Sequence, residues 1–198
     1  MSGTSTTQAT LANVLWPASM HNLARMALLA IAGTALLTLS AKIQVPFYPV
    51  PMTMQTFAIM VIAMAFGWKL GAATVVLYLL EGAFGLPVFA GTPAKGIGIA
   101  YMTGPTGGYL LGFFLAAGLT GWLAQRGWDR NVVTTLAAMV AGTAVIYLFG
   151  FAWLSTLIGA AKAWQFGVFP FLLGDAFKIA LAAALMPLLW RVVARAKP

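Results

Sequence analysis

The chain has 198 residues, of which 62% are hydrophobic and only 7% are charged. Charged residues make up roughly a quarter of an ordinary soluble domain, so this chain cannot cover its own surface with polar groups and is predicted to be an integral membrane protein. That composition excludes a soluble enzyme. The net charge of +8 does not indicate a nucleic-acid binder, because its basic residues are not clustered on one water-facing surface. The absence of cysteine excludes thiolate nucleophiles and cysteine-ligated metals.

A polar tail is predicted to precede a single membrane domain. Residues 1–20 are rich in Ser and Thr and carry no Lys or Arg, so they lack the basic region of a signal peptide and are predicted to be disordered. Residues 21–198 are predicted to form an all-α bundle of six transmembrane helices, since a spanning helix needs about 20 mostly apolar residues. The six apolar stretches are residues 23–40, 54–66, 70–84, 108–125, 132–158 and 171–193.

The orientation follows from the distribution of Lys and Arg, which are enriched in cytoplasmic segments. With both termini inside, the basic residues on the outer side are Lys42, Lys95 and Lys162. Those on the inner side are Arg25, Lys69, Arg126, Arg130, Arg191, Arg195 and Lys197. This bias predicts that the N and C termini are both cytoplasmic.

Two segments rich in proline and glycine flank the second and third apolar stretches, which are short. Residues 54–66 would rise only about 20 Å as a helix, less than a hydrocarbon core of roughly 30 Å. Prolines before this stretch favour an extended backbone, and a second segment begins at Gly85. Both lie on the predicted outer side, either as ordinary connectors or as loops that close over a pocket. The candidate gating residues are Pro46, Phe47, Pro49, Pro51, Phe89 and Gly91.

Asp175 and Lys178 stand one helical turn apart inside the sixth apolar stretch. An ionisable residue in a bilayer is costly and marks a functional site by default. The i, i+3 spacing places both side chains on one helix face, where their opposite charges partly neutralise each other. They form either a structural ion pair or part of a ligand site. In a ligand site the ammonium would hold a carboxylate, and the aspartate would accept hydrogen bonds from N–H groups.

Further polar residues are candidates for the same site, each with a structural alternative. Glu81 ends an apolar run and either reaches water or meets the ligand. Thr53 and Gln55 flank the start of the second helix, where a threonine can also cap the helix. Tyr109 is either a ligand contact or a residue of the aromatic belt at the membrane interface. His21 is the single histidine and has no second ligand near it, so no metal site is predicted.

Four ordered motifs carry a family resemblance. They are Val-Pro-Phe-Tyr-Pro-Val-Pro-Met-Thr-Met-Gln-Thr at 45–56, Gly-Ala-Phe-Gly-Leu-Pro-Val-Phe-Ala-Gly at 82–91, Gly-Pro-Thr-Gly-Gly-Tyr-Leu-Leu-Gly at 104–112 and Gly-Asp-Ala-Phe-Lys at 174–178. These segments resemble the signature segments of the BioY family, the biotin-specific substrate-binding (S) components of energy-coupling factor (ECF) transporters. The likeness extends over about residues 23–195.

The resemblance implies the six-helix S-component fold, with a biotin pocket on the extracytoplasmic side of the bacterial cytoplasmic membrane. The implied partners are a transmembrane coupling protein and two ATP-binding-cassette subunits that hydrolyse ATP, so the chain itself would be no enzyme and would need no cofactor. By motif position, Thr53 and Gln55 belong to the first gating loop and its helix, and Tyr109 follows the glycine-rich turn. Asp175 is expected to meet the ureido ring of biotin. Lys178 either meets the carboxylate or positions Asp175.

One feature of S components is absent, and one alternative function stays open. S components often carry an Ala-xxx-Ala motif for docking on the coupling protein. The nearest equivalent here is the small-residue stripe Ala30, Thr34 and Thr38. The alternative is a stand-alone proton-coupled transporter of a small carboxylated molecule, with Glu81 or Asp175 as proton carrier. No inverted repeat is visible, which disfavours it, and no motif of an intramembrane enzyme is present.

Overall fold

A computed structural model of the chain describes residues 9–16 and 22–196. Long helices stand where the apolar stretches predict them, and their ends lie within three residues of the predicted ones. They are α2 (Asn22–Lys42), α3 (Gln55–Phe66), α4 (Trp68–Ala83), α6 (Gly107–Ala124), α7 (Val132–Ile158) and α9 (Leu172–Ala196). Segments that are long and apolar enough to cross a membrane are Leu23–Lys42, Gly107–Ala124, Val132–Ile158 and Ala160–Arg195, four in the part of the chain that the structure describes. The predicted helical membrane fold is therefore confirmed in its main features.

Short elements fill the connections between the long helices. An antiparallel hairpin of β1 (Gln44–Val45) and β2 (Met52–Thr53) joins α2 to α3. A five-residue helix, α5 (Gly98–Met102), precedes α6, and α8 (Ala160–Gly167) follows α7. One turn of 3-10 helix at Phe169–Phe171 then leads into α9.

The N-terminal segment contains a short helix, α1 (Leu11–Leu15), where the sequence predicts disorder. The Thr10 side chain caps this helix, accepting a hydrogen bond from an N–H of the first turn at 3.4 Å. Leu11 is 3% exposed and belongs to a core cluster that contains several methionines. The prediction of a disordered tail is wrong for residues 9–16, because a capped turn that buries Leu11 is ordered by tertiary packing. The rest of the predicted tail lies outside the described residues.

The middle of the bundle is α6, which packs on α3, α4 and α7. Its glycines allow backbones to touch. A Cβ atom on Gly112 would lie 2.8 Å from Cα of Ile146 on α7, and one on Gly121 would lie 2.6 Å from the backbone nitrogen of Trp68 on α4. Close approach of this kind favours helix association in a membrane through van der Waals contact.

The bundle has two distinct ends. Gly67 joins α3 directly to α4 with a φ of +82°, and the side chains of Thr10 and Gln125 lie against it. This end, called the opposite end below, therefore contains α1 and the loop after α6. The hairpin and residues 84–97 lie at the other end, called the cavity end, because successive long helices run in alternating directions.

The small-residue stripe of α2 faces the interior of the chain. Ala30 and Thr34 are buried and Thr38 is half-buried. A Cβ on neighbouring Gly33 would lie 2.5 Å from Cγ2 of Thr74 on α4, so the stripe packs on that helix. Ala30 and Thr34 are therefore occupied by contacts within the chain, and docking of this stripe on a partner stays a prediction. A stripe of small residues has the same pattern whether it packs within one chain or between two.

Candidate ligand-binding cavity

A cavity lies at the cavity end, and its empty space of about 570 Å³ includes open solvent at the mouth. Its apolar lining consists of Val50, Pro51, Met52, Phe89, Ala90, Leu110, Phe113, Ile146 and Phe171. Its polar lining consists of Thr53, Gln55, Thr56, Tyr101, Thr106, Tyr109, Tyr147, Asp175 and Lys178. Small-molecule sites typically have apolar walls and a few convergent polar groups. The lining of this cavity has both.

Asp175 and Lys178 form an ion pair in the cavity lining. Lys178 Nζ lies 2.7 Å from Asp175 Oδ1, and the side chains are 9% and 7% exposed respectively. Both project from the N-terminal part of α9, so the helix register brings them together as the spacing predicts. Gly174 lies beside them, where a Cβ would be 2.8 Å from Sδ of Met52 on the hairpin. The glycine therefore lets the hairpin lie close to the ion pair.

All three N–H donors of the Lys178 ammonium face acceptors within the protein. Its ammonium carries three N–H donors. They face Asp175 Oδ1 at 2.7 Å, the carbonyl oxygen of Thr53 at 2.7 Å and the hydroxyl of Thr56 at 3.1 Å. Of the two sequence-based interpretations, this geometry favours Lys178 as the residue that positions Asp175, because no donor is left over for a ligand carboxylate.

Asp175 is held by donors from three helices and retains capacity for one more. Oδ1 accepts from Lys178 and from the hydroxyl of Thr56 at 3.2 Å. Oδ2 accepts from the hydroxyl of Tyr147 on α7. A carboxylate has about four acceptor positions, so one remains for a ligand donor. Thr56 and Tyr147 were not identified from the sequence. The signal for Tyr147 was a hydroxyl in the interior of a 27-residue apolar helix.

Gln55 and Thr53 line the cavity and connect the hairpin to α4. The Gln55 side-chain amide donates to the hydroxyl of Tyr78 at 2.7 Å, and its oxygen accepts from the Thr53 hydroxyl at 3.3 Å. The Thr53 hydroxyl also accepts from the backbone N–H of Gln55 at 3.2 Å, although the N-cap position of α3 is occupied by Met54. A direct ligand contact by either residue stays a prediction.

Tyr109 belongs to the cavity wall and not to an interfacial belt. It is buried, and its hydroxyl donates to the carbonyl of Gly167 at 2.7 Å. A Cβ on Gly167 would lie 2.5 Å from that hydroxyl, so the glycine makes room for the hydrogen bond. The ring is therefore the part of Tyr109 that a ligand can meet.

The hairpin (residues 44–53) covers one side of the cavity. Pro51 lines the cavity, and the ring of Phe47 meets that of Phe171 edge-on at a centroid distance of 5.9 Å. Pro46 and Pro49 lie in the hairpin turn and do not line the cavity. The proline spacing thus predicts the extended hairpin, but only some of its residues meet the cavity.

The second segment, called the wall segment (residues 84–97), is held by side-chain donors. The carbonyl oxygens that accept these hydrogen bonds belong to Pro87, Val88, Phe89, Ala90 and Thr92. The donors are Lys42 at the end of α2, Tyr78 on α4 and Tyr101 on α5. Phe89 lines the cavity, whereas Gly91 does not. The sequence alone predicts Lys42 only as a charge on the outer side.

Glu81 is separated from the cavity. It lies half-buried near the end of α4 and is not part of the lining. The prediction that Glu81 contacts the ligand is wrong in this geometry. The α4 side chain that reaches the residues around the cavity is that of Tyr78, which bonds Gln55 and the carbonyl of Val88. Among the described residues, no three His, Asp or Glu side chains come close enough to hold a metal ion, and His21 lies outside them.

The fold and the cavity define a multi-pass helical membrane protein with a small-molecule pocket. A BioY family model matches residues 7–195, and the chain belongs to the BioY family. The chain is 39% identical over 148 residues to the probable biotin transporter BioY of Pyrococcus horikoshii, a match that covers 75% of this chain and 85% of the relative. It is 41% identical over 151 residues to the biotin transporter BioY of Thermotoga maritima, with 76% and 86% covered.

A solved structure has the same fold. The crystal structure of the S-component for biotin from an ECF-type ABC transporter superposes with a TM-score of 0.74 at 24% sequence identity. The match covers 88% of this chain and 95% of that one. At this identity the likeness establishes the fold.

Proposed function

We propose that the chain binds biotin in the cavity and serves as the substrate-binding S component of an ECF transporter. Asp175 is the observation that carries this proposal: a buried carboxylate that Lys178, Thr56 and Tyr147 hold in place, with one acceptor position left. The names of the relatives as biotin transporters support the same ligand.

The chemistry of biotin suits the cavity. Its ureido ring offers two N–H donors, for which Asp175 is the acceptor, and its thioether ring is apolar, as are the walls around Phe113 and Phe171. Since Lys178 donates to Asp175, Thr53 and Thr56, the biotin carboxylate lies away from the ammonium, towards the mouth of the cavity.

The proposed topology crosses the cytoplasmic membrane of a bacterium six times, with both termini in the cytoplasm and the cavity outside. Charge supports this arrangement, since basic residues are enriched on the cytoplasmic side of membrane proteins. Those at the opposite end, among the described residues, are Arg25, Lys69, Arg126, Arg130, Arg191 and Arg195. Those at the cavity end are Lys42, Lys95 and Lys162, together with Lys178, which lies inside α9 and is paired with Asp175.

In this proposal the chain captures biotin and separate subunits supply the energy. The partners are a transmembrane coupling protein and ATP-binding-cassette subunits, and the chain itself catalyses no reaction. The alternative, proton-coupled transport by the chain alone, gains no support from the site, because Glu81 lies outside the cavity and Asp175 is paired with Lys178. Biotin uptake by proteoliposomes that contain only this chain, driven by a pH gradient, would favour the alternative.

The binding proposal is tested by calorimetric titration of the purified chain with biotin. We expect one biotin per chain, and Asp175→Asn should weaken binding about 100-fold, because a buried charged acceptor is lost. The matched control is Asp129→Asn. Asp129 is a buried carboxylate at the opposite end that accepts from Trp190 at 2.6 Å, and its substitution should leave biotin affinity unchanged.

A second variant protects this test against misfolding of Asp175→Asn. Tyr147→Phe removes one donor to Asp175 and keeps the ring, and we expect binding to weaken by roughly tenfold. If both variants bind biotin as tightly as the unsubstituted chain, Asp175 is not the acceptor and the proposed site is wrong.

A further inference from the structure

Lys42, the last residue of α2, reaches across to the wall segment. Its Nζ lies 2.7 Å from the carbonyl oxygen of Pro87, 3.0 Å from that of Phe89 and 3.3 Å from that of Thr92. The hydroxyl of Thr92 is 3.1 Å away. The oxygens of one segment thus converge on a single ammonium with three N–H donors.

Several carbonyls of the wall segment are bonded by side chains of other elements, since the segment has no regular secondary structure of its own. Residues 84–97 consist of turns and extended backbone. A carbonyl removed from water without a partner destabilises the fold, so its hydrogen bond must come from elsewhere. Tyr78 and Tyr101 supply donors to two carbonyls from inside the bundle. Lys42 bonds three more carbonyls at the exposed outer rim, where its positive charge strengthens each bond. The Phe89 carbonyl also accepts from the Thr92 hydroxyl at 2.7 Å, so the ammonium adds to a contact within the segment.

Phe89 is the side chain whose place depends on this arrangement. It is 1% exposed and lines the cavity. Its ring stacks on Tyr101 at a centroid distance of 4.9 Å and meets Tyr78 edge-on at 5.4 Å. Gly82 lies under the ring, where a Cβ would collide with it. Phe89 therefore fills a fitted slot, and its backbone carbonyl is one of the oxygens that Lys42 holds.

Lys42 also stands at the base of the hairpin. The residue after it, Ile43, accepts through its carbonyl a hydrogen bond from the N–H of Met54 at 3.1 Å, which closes the hairpin. One residue at the end of α2 therefore adjoins both structures that cover the cavity.

We propose that Lys42 is a positioning residue of the ligand cavity, which fixes the wall segment so that Phe89 is in place before the ligand arrives. Preorganisation reduces the conformational entropy that binding must remove. Without the ammonium the segment would populate arrangements with Phe89 out of its slot, and affinity would fall with the competent fraction. The inference rests on the proposed function for the identity of the ligand alone.

The first test measures the wall segment directly, without biotin. The sequence contains no cysteine, so a single introduced cysteine reports on its own surroundings. Val88→Cys places a thiol of similar size in the buried wall, outside the cavity lining. We expect Lys42→Met to raise the rate of maleimide labelling at this cysteine by roughly tenfold, because local opening becomes more frequent.

Two controls isolate the effect of Lys42. Lys162→Met removes an exposed basic residue of the cavity end that lies on α8, outside the set of wall donors, and should leave the labelling rate unchanged. A cysteine at Ala138, fully buried in the core cluster of the opposite end, should label at the same slow rate with or without Lys42. Faster labelling at both cysteines would mean general destabilisation and would overturn the proposal.

The second test measures biotin affinity in the cysteine-free chain. Lys42→Met should weaken biotin binding by roughly tenfold while the thermal unfolding midpoint changes little, since Lys42 itself is exposed. If labelling at residue 88 does not accelerate in Lys42→Met, the proposal is wrong whatever happens to biotin. If the segment opens but affinity is unchanged, Lys42 does not position the ligand wall. If the unsubstituted chain binds no biotin at all, the proposed function is wrong. The labelling test then still decides whether Lys42 fixes the wall segment, because it does not use biotin.

Discussion

The hairpin and the wall segment cover the same cavity in contrasting ways. Each strand of the hairpin is two residues long, and the tip of the hairpin is exposed, with Tyr48 86% exposed. The wall segment has no strands, yet its carbonyls are bonded to side chains of α2, α4 and α5. Regular backbone pairing is thus a poor guide to rigidity here. The segment without secondary structure receives more hydrogen bonds from the side chains of the bundle than the hairpin does.

Within residues 9–16 and 22–196, the hairpin is attached to the bundle by one side-chain hydrogen bond to its backbone and by apolar contacts, including those of Val50, which is 6% exposed and belongs to the main core cluster. Among the described residues, the Thr53 carbonyl accepts from Lys178, and Phe47 makes one aromatic contact with Phe171. We therefore expect the hairpin to open at a lower free energy than the wall segment, because fewer hydrogen bonds from side chains to its backbone must be broken.

The largest expected effect comes from Lys178→Met, which detaches the hairpin and leaves Asp175 as an unpaired buried charge. Removing one partner of a buried ion pair destabilises by about 3–5 kcal/mol. Thermal unfolding in detergent should show this loss, and a cysteine at Val50 on the hairpin should label faster than one at Val88. The double variant Lys178→Met, Asp175→Leu should recover much of the stability, since no charge is then left unpaired. A single variant as stable as the unsubstituted chain would contradict the prediction.

A comparison of Phe89→Ala with Tyr48→Ala tests one aromatic residue of the wall segment against one of the hairpin. Phe89 is buried in its slot, so its truncation should destabilise the fold by about 3–5 kcal/mol. Tyr48 is exposed, so its truncation should change the unfolding free energy by less than about 0.5 kcal/mol. Both values come from thermal or chemical unfolding. Equal losses in the two variants would remove the distinction between wall and hairpin.

Phe47→Ala should act on ligand exchange more than on stability. The edge-on contact with Phe171 contributes about 1 kcal/mol beyond burial, so we expect biotin to dissociate roughly fivefold faster from the variant. Stopped-flow displacement of a fluorescent biotin analogue measures the rate. Phe84→Ala is the matched control, since Phe84 is a phenylalanine of the wall segment that is 87% exposed. An equal change in that control would show that the aromatic contact is not responsible.

Gly174→Ala should have the smallest effect. Its Cβ would lie 2.8 Å from Sδ of Met52, a flexible side chain that can shift. Alanine favours the helix by roughly 0.5–1 kcal/mol over glycine, which offsets part of the strain. We expect unchanged thermal stability and a loss of biotin affinity of about two- to threefold, which corresponds to less than about 1 kcal/mol. A loss of stability comparable with that of Lys178→Met would mean that the hairpin cannot yield at this point.

Hydropathy predicted the long helices well because burial in lipid imposes a continuous apolar run on each of them. The prolines before α3 likewise predicted an extended connection, since they remove backbone donors wherever they stand. The helix α1 escaped prediction, because one capped turn has too few residues to show a period. Its order comes from Leu11 in the core cluster of the opposite end.

The charged residues of the candidate site could be predicted from the sequence, whereas its neutral hydroxyl-bearing residues could not. Asp175 and Lys178 stand out in an apolar run, and their spacing alone places them together. Thr56 and Tyr147 carry hydroxyls that are common in membrane helices, so only the fold distinguishes them from lipid-facing or belt residues. Lys42 lies 45 residues before Pro87 in the sequence, and no local pattern joins them.

The ammonium of Lys178 bonds a carboxylate of the ligand site and a carbonyl of strand β2 at the same time. The two contacts therefore share one thermodynamic linkage. Any bound group that changes the electrostatic balance at Asp175 changes the strength with which β2 is held. By reciprocity the position of β2 changes the affinity of Asp175 for that group by the same factor. Binding of a group at Asp175 and the position of the hairpin over the cavity are therefore coupled through Nζ of Lys178.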